Sequence, residues 1–411
     1  MARSAAASAG VKEATAEILA RLVGGPEEEL RREYGPLKPG LTLADFKVSA
    51  EEIEAAPKAL SAEVLTALEK AAAAIYKFHA AQLERPSWFE EFAPGLLAGR
   101  LTRPLERVGV YIPGGRAAYP SSALMNIVPA KAAGVAEIVA VSPPGPDFTI
   151  RPEIVAAAHL AGAGAIYKLG GAWAVGCLAH GLAGLPRVDK IVGPGNAWVT
   201  AAKLAVFGQT DIDLPAGPSE GFIIADGQAR ADWLAWDLLA QLEHDPLASA
   251  VLVSLDEGLA RRVAAEISRL YPGLERRDIV GEALKNGAAV LVAENLDEAF
   301  DFANLYAPEH LHLSLAEPLS HLARVRHAGS VFLGPHAPIA AGDYATGPNH
   351  VLPTGGSARM FSGLSVDSFL KKITFQHLTP EALGGVLPTA ATLARAEGLT
   401  AHARSLEIRR P

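Results

Sequence analysis

The residues best suited to chemistry gather late in the chain. Of 12 histidines, nine lie at or after position 244: His244, His310, His312, His321, His327, His336, His350, His377 and His402. In AWDLLAQLEHDP a helical stretch is stopped by Pro246, and Gln241 and His244, at i and i+3, share a face. An amide oxygen and an imidazole can together bind a borderline cation such as Zn²⁺. The same His can simply sit against the negative end of the helix dipole. In LYAPEHLHL, Glu309 and His310 are adjacent after a proline. Facing one cleft they supply two bases of different pKa; in a strand they point apart and decorate an edge. In APIAAGDYATGPNHVLPT, glycines and prolines surround Asp343 and His350, the framing of a loop that positions functional groups. Asp343 can be an anionic metal ligand or an Asx turn, and His350 a donor to a substrate carboxylate. In ARAEGLTAHAR, Glu397 and His402 are five apart, about 140° around a helix, so one face cannot aim both at one atom.

No G-x-G-x-x-G occurs. KIVGPGNAWVTAAK places Gly193, Gly195 and Asn196 between a strand-like and a helical stretch, a turn suited to phosphate or ribose at a helix N-terminus. YIPGG and KLGGA are further glycine-rich strand exits. The single cysteine, Cys177, lies in the apolar stretch GAWAVGCLAHG and excludes an internal disulfide and a cysteine-based zinc site.

These groups need elements to hold them. Residues 11–100 read as helices, rich in Ala, Leu, Glu and Lys. Short β-branched runs then recur at 107–113, 136–144, 164–170 and 189–194, separated by Ala-rich helical stretches, which is the rhythm of a parallel sheet. A second series follows at 220–226, 248–255, 286–294, 310–315 and 329–334. The reading is an α/β fold of two Rossmann-like parallel-sheet domains, one inserted in the other, with a helical N-terminal region and a small C-terminal tail domain. Residues 111–219 form the insert, 1–110 with 220–364 the discontinuous host, and 365–411 a tail too small to fold alone. In such an insert a nucleotide lies at the carboxyl ends of the strands.

Composition sets the outer limits. With 411 residues and a net charge of −8, the chain is ample for two or three domains and a poor non-specific nucleic-acid binder. No apolar run is long enough for a transmembrane helix, and Lys12 and Glu13 break the only early apolar stretch, so neither a membrane span nor a signal peptide is expected. A cytoplasmic protein is expected.

Seven segments together resemble histidinol dehydrogenase: RVGVYIPGG, VDKIVGPGNAWVTAAK, DLPAGPSEG, LAQLEHDP, YAPEHL, AGDYATGPNHVLPTGG and LARAEGLTAH, in family order over about residues 105–402. The resemblance implies a homodimeric, zinc-dependent enzyme that oxidises L-histidinol through L-histidinaldehyde to L-histidine with two NAD⁺. It implies Gln241, His244 and Asp343 as zinc ligands, completed by His402 of the partner subunit. These ligands and His310 also line the substrate, with Ser219, His350 and Glu397, the last at its amine. It implies Glu309 and His310 as the bases, and Tyr111 and Asn196 as NAD contacts. The family's GGAQA is GGAWA here, so Trp173 stands at a third NAD position, either stacking on the cofactor or filling space. Three other readings compete: an NAD-dependent alcohol or aldehyde dehydrogenase, the latter with Cys177 as nucleophile; a zinc hydrolase that leaves the inserted domain idle; and a non-catalytic histidinol-binding relic, against which the retained Glu309–His310 pair argues.

Overall fold

The computed structural model describes residues 9–84, 86–114, 118–214 and 217–409. The first eight residues, Gly115 of YIPGG, and Pro215 and Ala216 of DLPAGPSEG lie outside them. The chain divides into a large unit, residues 1–82 and 106–369, and a small unit, residues 83–105 and 370–411.

In the small unit, β1 (Ser87–Ala93) and β2 (Leu96–Pro104) form an antiparallel hairpin. In the large unit, β3 (Arg107–Tyr111), β4 (Glu137–Ser142), β5 (Ala165–Lys168), β6 (Lys190–Val192) and β7 (Asp211–Ile212) make one parallel sheet, ordered β5-β4-β3-β6-β7. The next five strands are β8 (Glu220–Ala225), β9 (Ser249–Ser254), β10 (Ala288–Val292), β11 (His310–Ser314) and β12 (Ser330–Leu333). They make a second parallel sheet, ordered β10-β9-β8-β11-β12. The two sheets share one winding. The first strand is central, the next two add on one side, and the last two on the other. Each therefore has a switch point, between β3 and β6 and between β8 and β11, the position beyond whose carboxyl ends such sheets characteristically bind ligands. Helices cover both faces of such sheets, which is why every residue of β8, β9 and β11 is buried. Nine of these ten strands fall within the β-branched runs of the sequence; β7, only two residues long, carries too little pattern to stand out.

The helical N-terminal region is shorter than expected and covers a different sheet. Its last helix ends at Ala80, and the β1–β2 hairpin occupies 87–104, of which the part up to residue 100 was expected as helix. Ile18, Leu19 and Leu22 of the helix Ala9–Gly24, with Leu30, Tyr34 and Phe46, pack into one core with Val139 and Val141 of β4, with Leu169 just past β5, and with Leu178 of the helix Gly171–His180. Residues 107–110, assigned from sequence to the host domain, lie in the central strand of that sheet.

The tail does not stand alone. β13 (Leu370–Leu378) pairs antiparallel along the whole of β2, completing a three-stranded sheet ordered β1-β2-β13. The helices Pro380–Ala396 and Thr400–Glu407 follow it. All of β1 is exposed, including Trp88, Phe89 and Phe92.

Candidate active site

Asp213 stands at the carboxyl edge of the first sheet and Glu220, seven residues later, at the amino edge of the second. Seven residue steps span at most about 25 Å. Two sets of candidate residues lie at those edges.

At the second sheet, β11 starts at His310 and pairs in register with β8, so that His310 stands opposite Gly221. Glu220, the first residue of β8, holds both expected bases with its own backbone. Its N–H donates to Glu309 Oε2 at 2.8 Å, and its carbonyl accepts from His310 Nδ1 at 3.1 Å. Glu309 Oε2 lies 3.5 Å from His310 Nδ1. Ala307, two residues earlier, has φ 51°, a left-handed conformation that costs an alanine about 1–2 kcal/mol. It turns the chain out of the helix Leu296–Tyr306 and through Pro308 into β11.

Burial decides the protonation of this pair. It pushes the Glu309 carboxyl well above the usual carboxylate range, outweighing the Glu220 N–H bond that favours the anion; the charge of Asp343 adds to the rise. It pushes His310 down to about 3, against the Glu220 carbonyl, and the imidazoles of His350 and His244 act in the same direction. His310 is therefore neutral near pH 7, with its hydrogen on Nδ1 and its lone pair on Nε2.

Nε2 faces Asp343 Oδ1 at 3.7 Å. Asp343 sits on the short helix Ile339–Tyr344, and Gly342 lets that helix lie against β12, since a Cβ there would come within 2.5 Å of the Phe332 ring. Burial raises the Asp343 carboxyl to about 7. His350 Nδ1 is bonded to the Asp343 carbonyl at 2.9 Å, and burial lowers His350 to about 4. The loop of His350 is anchored by the buried Asn349, whose amide donates to the Met125 carbonyl at 2.6 Å and lies 3.4 Å from His79 Nε2.

Gln241 ends the helix Ala231–Leu242 and packs on β8 beside His310's strand partner. A Cβ on Gly221 would meet Gln241 Cγ at 2.6 Å, so glycine is needed there. Gln241 is buried, and its Oε1 has no hydrogen-bond partner. A buried, unbonded amide oxygen is costly unless something outside the chain bonds it. His244 is exposed just past the end of the same helix. Ser219 precedes Glu220, and its carbonyl accepts from Ser249 N–H at 2.9 Å. Among the described residues, no three His, Cys, Asp or Glu side chains are arranged to hold a metal ion. Of the expected quartet only His244 and Asp343 are such groups within the large unit. Glu397 and His402 belong to the small unit, at the end of the helix Pro380–Ala396 and in the helix Thr400–Glu407, both exposed.

At the first sheet, Tyr111 ends β3 and the turn 193–196 follows β6, its paired neighbour, so both stand at the switch point. The Tyr111 hydroxyl accepts from Gly171 N–H at 3.3 Å. Asn196 caps the helix Ala197–Val206, its Oδ1 accepting from Trp198 and Val199 N–H at 3.1 and 3.2 Å. Trp173 turns towards the N-terminal helices. Its indole N–H donates to Glu29 Oε1 at 3.1 Å, and its ring lies edge-on to Tyr34.

Cys177 is fully buried, and burial pushes its thiol up to about 12. A thiol kept protonated and out of reach of solvent is no nucleophile.

A sequence profile of histidinol dehydrogenase matches residues 1–410. The histidinol dehydrogenase of Methanothermobacter thermautotrophicus is 48% identical over 395 residues, 96% of this chain and 92% of its own. This chain belongs to the histidinol dehydrogenase family. The histidinol dehydrogenase of Moorella thermoacetica is 51% identical over 366 residues, covering 89% of this chain and 86% of its own. A crystal structure of histidinol dehydrogenase from Elizabethkingia anophelis superposes with a TM-score of 0.92 at 38% identity, over 97% of this chain and 92% of the other. As a member of the histidinol dehydrogenase family, the chain is an NAD-dependent oxidoreductase, which sets aside a hydrolase without a nucleotide.

Sequence reasoning missed Glu220, Gly221, Gly342 and Asn349, which hold or make room for the expected bases and ligands. A glycine inside the strand-like run EGFIIAD was the one available signal for Gly221.

Proposed function

We propose that the Glu309–His310 pair on the Glu220 backbone carries both halves of the oxidation of L-histidinol to L-histidine. His310 Nε2 takes the hydroxyl proton of the alcohol. In the second half Glu309 takes a proton from the water that adds to L-histidinaldehyde while His310 returns its proton to the aldehyde oxygen; the gem-diol so formed then gives a proton to the freed His310 Nε2 as the second hydride leaves. NAD⁺ supplies the oxidising power in both halves, accepting a hydride from the same substrate carbon each time. Tyr111 and Asn196, with Trp173 as a packing neighbour, frame its place at the β3–β6 switch point.

Gln241, His244 and Asp343, with His402 of the partner subunit, would hold a zinc ion. The unbonded Gln241 Oε1 and the buried Asp343 carboxylate fit a cation. When bound, such an ion would anchor the substrate's nitrogens and so orient more than polarise. Ser219, His350 and Glu397 complete the substrate's surroundings, Glu397 at the amine. The solvent-facing β1, with Trp88, Phe89 and Phe92, supports a homodimer that shares its sites. A cytoplasmic enzyme is the accompanying reading; no helix of the described residues is long and apolar enough to cross a membrane.

The single observation that carries the reading is that one peptide, Glu220, orients both bases. Steady-state NADH formation with L-histidinol tests it. Turnover in wild type and its loss in His310→Ala are expected; equal turnover in His310→Ala overturns the assignment.

A further inference from the structure

Beneath the turn that follows β6 lies a buried ion pair. Lys203, on the helix Ala197–Val206, and Asp213, just after β7, pair with side chains 4% and 1% exposed. Both also grip one residue of the turn. Asp213 Oδ2 accepts from Gly193 N–H at 2.8 Å, and Lys203 Nζ donates to the Gly193 carbonyl at 3.0 Å. Gly193 has φ 117°, and a Cβ there would fall 2.0 Å from the Tyr111 carbonyl. Only glycine lets the turn press against the end of β3. Asp213 N–H also donates to the Ile191 carbonyl at 3.2 Å, tying the same carboxylate's backbone to β6.

A buried ion pair is weak evidence of stabilisation, because removing two charges from water offsets most of their attraction. Apolar residues of similar size would fill the space as well. What they would not do is hold both ends of Gly193. We infer that Lys203 and Asp213 are positioning residues for NAD⁺: they fix the Gly193 turn, and through it Asn196 relative to Tyr111, in the geometry that receives the nucleotide. The inference rests on the nucleotide lying at the β3–β6 switch point.

The test is NAD⁺ binding by titration calorimetry on the metal-free protein, with steady-state kinetics and melting temperature alongside, for Lys203→Met, Asp213→Asn and the apolar pair Lys203→Met/Asp213→Leu. The expected result is NAD⁺ affinity down at least ~10-fold in Lys203→Met, with KM for NAD⁺ raised in step and KM for L-histidinol and kcat within about twofold. Asp213→Asn keeps an acceptor for Gly193 N–H and should lose less. The apolar pair should melt near wild type yet bind NAD⁺ as weakly as Lys203→Met, so it decides the matter should either single variant misfold. Wild-type NAD⁺ affinity in the folded apolar pair, or equal losses for both substrates, overturns the role. Asn196→Ala separates the two levels. If it weakens NAD⁺ binding and Lys203→Met does not, the ion pair has no positioning role; if neither does, the nucleotide's placement fails and the inference with it.

Discussion

His310 Nε2 faces Asp343 Oδ1 at 3.7 Å, on the side of the ring away from the Glu220 carbonyl. That carbonyl can only accept, so it fixes the hydrogen on Nδ1 and leaves the basic nitrogen turned towards the Asp343 side of the site. At 3.7 Å the carboxylate is too far to take a hydrogen bond from the ring. His310 thus points an available lone pair at the place where Gln241, His244 and Asp343 would hold the substrate.

The two bases should separate kinetically. His310→Ala should depress both oxidations. Glu309→Gln should chiefly slow oxidation of L-histidinaldehyde, the half that needs an activated water. Removing a general base typically costs ~10²–10⁴-fold. Single-turnover rates measured with each substrate check this, and a Glu309→Gln defect confined to the alcohol half contradicts the assignment.

Glu309 should also lower stability. Its folded pKa lies above its unfolded one, so the folded state binds the proton more tightly, and stability falls as pH rises through the folded pKa. In Glu309→Gln the amide oxygen can still accept the Glu220 N–H without a buried charge. Melting of the chelated protein should therefore show the variant more stable by a few degrees at about pH 8 and level with wild type at about pH 4, below the unfolded carboxyl's value. A variant less stable at the higher pH would mean that Glu309 is held as a satisfied anion.

A site of one carboxylate, one amide and two imidazoles has no thiolate and should release its ion to a chelator. Chelation should abolish turnover and Zn²⁺ restore it, with Co²⁺ or Mn²⁺ as partial substitutes. Asp343→Ala should lose bound metal, measured by elemental analysis, while keeping the wild-type fold by circular dichroism. Full activity in metal-free protein would remove the ion from the account.

How much of this was legible varied with how local each signal is. All the strands of both sheets except the two-residue β7 announced themselves as β-branched runs, and Gln241, His244, Glu309, His310, Asp343 and His350 stood in motifs a few residues long. The β1–β2 hairpin did not, because Ser87–Pro104 mixes apolar and charged residues in no clear period; Pro94-Gly95, where Gly95 has φ 74°, was the turn signal passed over. The tail was read as coreless because its sheet partner, β2, lies about 270 residues away in sequence. Glu220 could not be found from sequence, since it acts only through its backbone once β8 and β11 pair.

The tail tests the shared site. His402→Ala and His310→Ala chains, each inactive alone, should complement when mixed and allowed to exchange, because a heterodimer has one site with both defects and one with neither. With random pairing about half the dimers are mixed, so activity should recover to about one quarter of wild type. No recovery despite demonstrated exchange would mean that each tail serves its own subunit.

The central claim is that one pair of bases performs two successive oxidations on one substrate. It is tested most directly by the NADH formed per L-histidinol consumed at completion. The account predicts two, with L-histidine as the product and no free aldehyde accumulating. One NADH per L-histidinol with release of the aldehyde, or L-histidine formed without reduction of NAD⁺, would contradict it.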